Sequence, residues 1–149
     1  MTSPGVIAVA GLLAGALDIT VTSTLMRTRG ISYEQLLQTI ASGALGTSAF
    51  KGGKKTAAGG LFFHFLIAFI AAAIYYVISR QWNPLLYHPW LSGIVYGIAV
   101  HLIMSLVVVP LSSAPKRKFS AQAFLIQLVI HILFVGLPIA LTVSHLSIR

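Results

Sequence analysis

A chain of 149 residues has room for one domain. With 57% hydrophobic and 8% charged residues and a mean hydropathy of +0.92, it lacks the polar surface of a soluble domain, in which about 25% of residues are charged. The apolar excess must therefore face lipid. The absence of cysteine excludes a disulfide framework, a thiolate metal site, an iron–sulfur cluster and a cysteine nucleophile. The formal net charge of +8 does not point to nucleic acid, because the Lys and Arg residues lie in loops that flank apolar runs.

Four apolar runs, residues 5–26, 60–79, 90–110 and 121–146, each reach the roughly 20 residues that cross ~30 Å of hydrocarbon. The runs are continuous, not alternating, which rules out barrel strands. The predicted fold is all-α: a single integral membrane domain over residues 1–149, built as a four-transmembrane-helix bundle. The first run has no basic segment before it and is longer than a signal-peptide core, so it reads as a retained span. Between the first two spans, Ser32 and Gln35 form a capping-box pattern, and Tyr33, Leu36, Leu37, Ile40 and Leu45 recur near helical spacing. This predicts a short amphipathic helix over residues 33–42, either lying on the membrane surface or re-entrant. The basic, Gly-rich run from Phe50 to Lys55 lacks Walker spacing and reads as a flexible loop.

Orientation follows from charge. Arg27, Arg29, Lys51, Lys54, Lys55, Lys116, Arg117 and Lys118 fall on one side of the predicted topology, against only Arg80 and Arg149 on the other. The positive-inside rule then places both basic loops in the cytoplasm and both termini outside a cell membrane, the inner membrane in a bacterium. Trp82, Tyr87, His88 and Trp90, in the loop over residues 81–90, read as an aromatic belt at the outer face. The cluster Lys116 to Lys118 reads first as a topology signal, with recognition of an anionic lipid as the alternative.

Any chemistry should lie in polar side chains within the spans, where a charge at the bilayer centre costs a few kcal/mol. Away from its ends each span carries one Asp or His: Asp18, His64, His101 and His131. Measured at 1.5 Å per residue from the basic end, these lie about 12, 6 to 9, 13 and 15 Å deep, which is one layer. Residues four apart share a helix face. Asp18 shares its face with Gly11, Gly15 and Thr22, and His101 shares its face with Gly93, Gly97 and Ser105. His64 aligns with Gly60, Ala68, Ala72 and Tyr75, and His131 with Gln127 and Pro138. Gly11 to Gly15 and Gly93 to Gly97 are GxxxG patterns, which let helix backbones approach closely in lipid. The layer therefore sits on packing faces, with Thr22, Ser105 and Gln127 as supporting polar groups.

The GLLAG of the first span, His64 within GGLFFHF, GIVYG followed by His101 and VVVPL, and the inward His131 resemble the small YagU-like inner-membrane proteins of bacteria. The resemblance covers mainly the second to fourth spans. It implies a multi-pass cell-membrane location, and the short outer loop here departs from the pattern of that family.

Three readings of the layer stay open. Asp18 and the histidines are structural glue in a membrane interaction or scaffold protein, each contact giving on the order of 1 kcal/mol. Alternatively they handle a proton or cation, with Asp18 neutralising a protonated histidine. Or they bind a divalent metal (zinc, iron or copper) or a haem, with His101 and His131 as the haem pair. No GxSxG or HExxH signature is present, and Asp18 and Glu34 are the only carboxylates, so enzymatic catalysis has little support. Glu34 reads as a helix-start charge, and Tyr75 and Tyr76 as packing or interface residues. The expected partners are the lipid bilayer and a second copy of the chain, a homodimer meeting through a spare GxxxG face.

Overall fold

The computed structural model describes residues 2–147. Among them there is no strand, and eight α-helices are joined by one 3₁₀ turn and two π-turns: α1 (Ser3–Thr28), α2 (Tyr33–Leu45), α3 (Gly53–Gln81), α4 (Pro84–Tyr87), α5 (Pro89–Ile103), α6 (Val109–Leu111), α7 (Ala121–His131) and α8 (Leu137–Ser147). The π-turn Met104–Val108 joins α5 to α6, and Ile132–Gly136 joins α7 to α8. Four continuous helical spans result, Ser3–Thr28, Gly53–Gln81, Pro89–Leu111 and Ala121–Ser147, each long and apolar enough to cross a membrane. Only 11 to 39% of each hydrophobic stretch is buried inside the chain. The remainder needs an apolar solvent, which makes this a multi-pass membrane protein.

The first span ends where Gly30 takes φ 77°. That left-handed residue lets the Gly30 amide donate to Arg27 O and the Ile31 amide to Met26 O, a Schellman stop. At the start of α2 the predicted capping box is present: Gln35 N donates to Ser32 Oγ at 3.2 Å, and Ser32 N donates to Gln35 Oε1 at 2.9 Å. α2 runs on to Leu45, past the expected residue 42, and buries Leu36, Leu37, Gln38, Ala41 and Ser42 against the bundle. Its backbone lies directly on α3 at Gly60, where a Cβ would run into the Leu37 carbonyl.

The Gly-rich basic run is ordered, contrary to the flexible loop expected from its composition. Residues Gly46–Lys51 form a 3₁₀ turn, and α3 begins at Gly53 instead of near residue 60. Two side chains hold this corner: Thr56 Oγ1 donates to Ala49 O at 2.6 Å, and Gln38 Nε2 donates to Gly53 O at 3.2 Å.

Both GxxxG faces are used within the chain. A Cβ on Gly11 or Gly15 would strike Phe69 or Phe65 of α3, and one on Gly93 or Gly97 would strike Leu137, Ile132 or the His131 carbonyl in the fourth span. Gly136 completes the second contact, lying against Gly93 O and the Gly97 backbone. This corrects the expectation of a spare GxxxG face for a homodimer: no such face is left over, because each pair of glycines seats a neighbouring span of the same chain.

The end of the bundle away from the basic loops is a closed core. Val6, Ala10, Ala14, Ala71, Ala72, Tyr75, Leu86, Val135, Ile139, Ala140 and Val143 pack there. Its polar groups are paired except for Ser147 Oγ, at the outer edge of this end. Tyr75 Oη donates to Leu85 O at 3.1 Å and meets Ser92 Oγ at 2.8 Å, and Ser144 Oγ donates to Leu86 O at 2.6 Å. These bonds clamp the short α3–α5 connection, including α4, onto the spans.

Candidate functional site

The layer predicted from sequence surrounds one cavity of about 430 Å³. Asp18, His64, His101 and His131 all line it, together with Thr22, Ser105 and Gln127. The first span contributes Ala14, Gly15, Asp18, Ile19 and Thr22 to the wall; α2 roofs the basic end with Leu36, Thr39, Ile40 and Gly43. The roof is tied to the connection between the third and fourth spans by a bond from Ser113 N to Gly43 O at 2.8 Å. Gly11, Gly93 and Gly97 act only in packing.

The ionisable groups form two pairs. His64 Nε2 lies 2.8 Å from Gly15 O, and since a carbonyl can only accept, Nε2 carries the hydrogen. The opposite ring nitrogen, Nδ1, faces Asp18 Oδ2 at 3.9 Å. In the neutral imidazole Nδ1 is then an acceptor facing a carboxylate, two lone-pair bearers with nothing between them. One proton on either partner removes the conflict, giving a neutral acid beside a neutral ring or an ion pair.

On the other side of the cavity, His131 Nδ1 lies 2.8 Å from Gln127 O and 3.3 Å from His101 Nδ1. The same argument puts the hydrogen on His131 Nδ1, shared between the carbonyl and the His101 nitrogen. His101 Nε2 then bears the other hydrogen and points toward Ser105 Oγ at 3.5 Å. The Phe124 ring packs edge-on against His101, centroids 4.5 Å apart, and helps to leave only 1% of His101 exposed.

The first span supplies a further clue in its hydroxyls. Thr20, Ser23 and Thr24 each donate to a carbonyl of their own helix, at 2.6, 3.0 and 2.8 Å. Thr22 does not: its Oγ1 is buried and unpaired, as are Asp18 Oδ1 and Gln127 Oε1. All three of these residues line the cavity.

Among the described residues, no three His, Asp or Glu side chains are gathered so as to hold a metal ion. Two imidazoles on one tetrahedral metal, with bonds of ~2.0 Å, would set their nitrogens about 3.3 Å apart, and opposite ligands of a haem iron about 4 Å apart. The Nδ1 atoms of His101 and His131, at 3.3 Å, are closer than the haem spacing and are hydrogen-bonded to each other, with no third ligand beside them.

Sequence reasoning missed the two π-turns that begin directly after the histidine-bearing segments of the third and fourth spans. Their signal was present in Pro110 and Pro138. A proline ring clashes with the carbonyl four residues back and offers no N–H. Here those carbonyls, on Leu106 and Phe134, fall inside the π-turns, whose wider hydrogen bonds absorb the mismatch, as in Val109 N to Met104 O and Leu137 N to Ile132 O. No protein-family model, curated relative or solved structure matches the chain.

Proposed function

We propose that the protein handles a proton or cation at Asp18 inside the membrane, with His64 as the partner that shares the proton. The carrying observation is the contrast in polar pairing: the hydroxyls of Tyr75, Ser92 and Ser144 at the closed end are bonded, whereas Asp18 Oδ1, Thr22 Oγ1 and Gln127 Oε1 are buried without partners around an apolar cavity. Structural glue satisfies its groups, because an unmet buried acceptor costs about 1–3 kcal/mol. Polar groups left open around a cavity suit a partner that comes and goes, and beside the Asp18 carboxylate that partner is a donor. A carboxylate there, at a few kcal/mol of insertion cost, is a functional group by default.

The chemistry needs only the chain's own residues. The Gly15 carbonyl fixes the His64 tautomer, so Nδ1 faces Asp18 Oδ2 at 3.9 Å, and a proton on either one removes the conflict between them. The His131–His101–Ser105 chain across the cavity offers a second run of ring nitrogens and a hydroxyl. The positive-inside rule orients the basic loops, and with them the α2 roof, to the cytoplasm of a cell membrane; the resemblance to YagU-like proteins supports that location. A metal role lacks a third ligand beside His101 and His131 among the described residues, and a haem role lacks the spacing of opposite ligands.

The reading is tested in liposomes loaded with a pH-sensitive dye. An imposed pH gradient should dissipate faster than in protein-free vesicles, and Asp18→Asn should reduce the protein-dependent rate at least tenfold. An unchanged rate in Asp18→Asn would return the layer to the glue reading.

A further inference from the structure

The cavity is much larger than a proton or a bare metal ion requires; about 430 Å³ lies in the range of small-molecule sites. Its lining contains no Lys or Arg and one carboxylate, and the rest is chiefly Ala, Ile, Leu, Val and Met. Of the groups left open, Asp18 Oδ1 can only accept, while the Thr22 hydroxyl and the Gln127 amide accept or donate. The donor nitrogens of His64 and His131 are committed to the Gly15 and Gln127 carbonyls, while Asp18 Oδ1 and Gln127 Oε1 have no donor. Thr22, 8% exposed, adds an unpaired oxygen on the same wall. A ligand complementary to this wall carries one positive charge, N–H donors at one end and an apolar body.

A route for such a ligand lies in the wall itself. The second and third spans are joined near the closed end by Tyr96 Oη donating to Ala71 O at 2.6 Å, and by the Tyr75 and Tyr96 rings with centroids 5.0 Å apart. From there toward the basic end their backbones barely approach one another, and the cavity occupies the space between Ile67 and Ala68 on one side and Val100 and Met104 on the other. Val108 and Val109 line it while being 39% and 50% exposed, so they face both the cavity and the surroundings of the bundle. The span that carries them is apolar enough to cross a membrane, and Lys116 Nζ donates to Pro110 O at 2.7 Å, so this rim lies at the membrane boundary on the basic side.

We infer that the cavity binds a small lipophilic ammonium ion that enters sideways from the bilayer between the second and third spans, past Val108 and Val109, and pairs with Asp18. This names a ligand class for the cation-handling site proposed above and rests on that reading.

The probe is radiolabelled phenylpropylamine, protonated at neutral pH, measured by equilibrium dialysis against the full chain in detergent with empty micelles as the blank. Its uncharged analogue phenylpropanol is measured in parallel. The expected result is saturable binding of one amine per chain, at least tenfold weaker in Asp18→Asn, with phenylpropanol also at least tenfold weaker. Val108→Trp, a change at an exposed rim position that leaves every polar group in place, should weaken amine binding severalfold. Lack of saturable binding overturns the inference. So does equal binding to Asp18→Asn, equal binding of the alcohol, or a Val108→Trp variant that binds the amine as wild type does. Because proton flux is read on the same wild-type preparation, absence of amine binding there with flux retained removes only the ligand class. Flux that ignores Asp18 removes the proton reading itself.

Discussion

The two ends of this bundle solve the same problem in opposite ways. Both bury hydroxyls, amides and titratable rings between apolar helices. At the end away from the basic loops, small residues such as Ala10, Ala14, Ala72 and Ala140 let the spans close completely, and every hydroxyl of the Tyr75–Ser92–Leu85 cluster has a partner. At the basic end the spans stand apart, and three side-chain oxygens around the cavity remain unmet, against Ser147 Oγ alone at the other end. The difference teaches where polar residues hold a membrane bundle together and where they await something else. Pairing, more than polarity or burial, separates the two roles.

The sharpest way to break the comparison is to attack the closed end. Tyr75 is 1% exposed and anchors that core, so Tyr75→Ala should cost about 3–5 kcal/mol, the range for deleting a buried aromatic ring, and lower the thermal midpoint measured in detergent. A loss below about 1 kcal/mol would mean that the closed end is not the stabilising half. Ser144→Ala should cost ~1 kcal/mol, since it leaves the Leu86 carbonyl without its donor. At the roof, Ser32→Ala removes one half of the capping box and should cost about 1 kcal/mol of α2 stability, read as faster amide hydrogen exchange over Tyr33–Leu45. The smallest effect belongs to the cavity: Thr22→Val discards a hydroxyl that bonds to nothing and should change stability by less than ~0.5 kcal/mol. If Thr22→Val were as damaging as Ser144→Ala, the contrast between the ends would collapse.

Much of this architecture was legible in the sequence because hydropathy and capping act locally. The four spans, the capping box at Ser32 and Gln35, and the inward placement of Asp18, His64, His101 and His131 follow from length, spacing and helical period. Other features depend on contacts between segments. Gly53 begins a helix because Thr56 and Gln38 reach carbonyls beside it, and no count of glycines conveys that. The division of the layer into an Asp18–His64 pair and a His101–His131 pair was equally hidden, since it rests on which ring nitrogen meets which backbone carbonyl. The glycine patterns gave the right kind of contact but not the partner, which is a neighbouring span instead of a second copy. Arg149, counted in the charge asymmetry, lies outside the described residues.

The π-turns at Met104–Val108 and Ile132–Gly136 change how the third and fourth spans are read. Each holds one residue more than an α-turn, so the helix beyond it is rotated by about 100° relative to an unbroken screw. Each of these two spans is thus a pair of half-screws with offset threads; His131 is the last residue before its splice, and His101 lies three residues before the splice at Met104. Deleting a single residue from either turn would close the splice into an ordinary α-turn and leave Pro110 or Pro138 on its present side, whereas deleting one from the adjoining α-helix would swing the far half by about 100°.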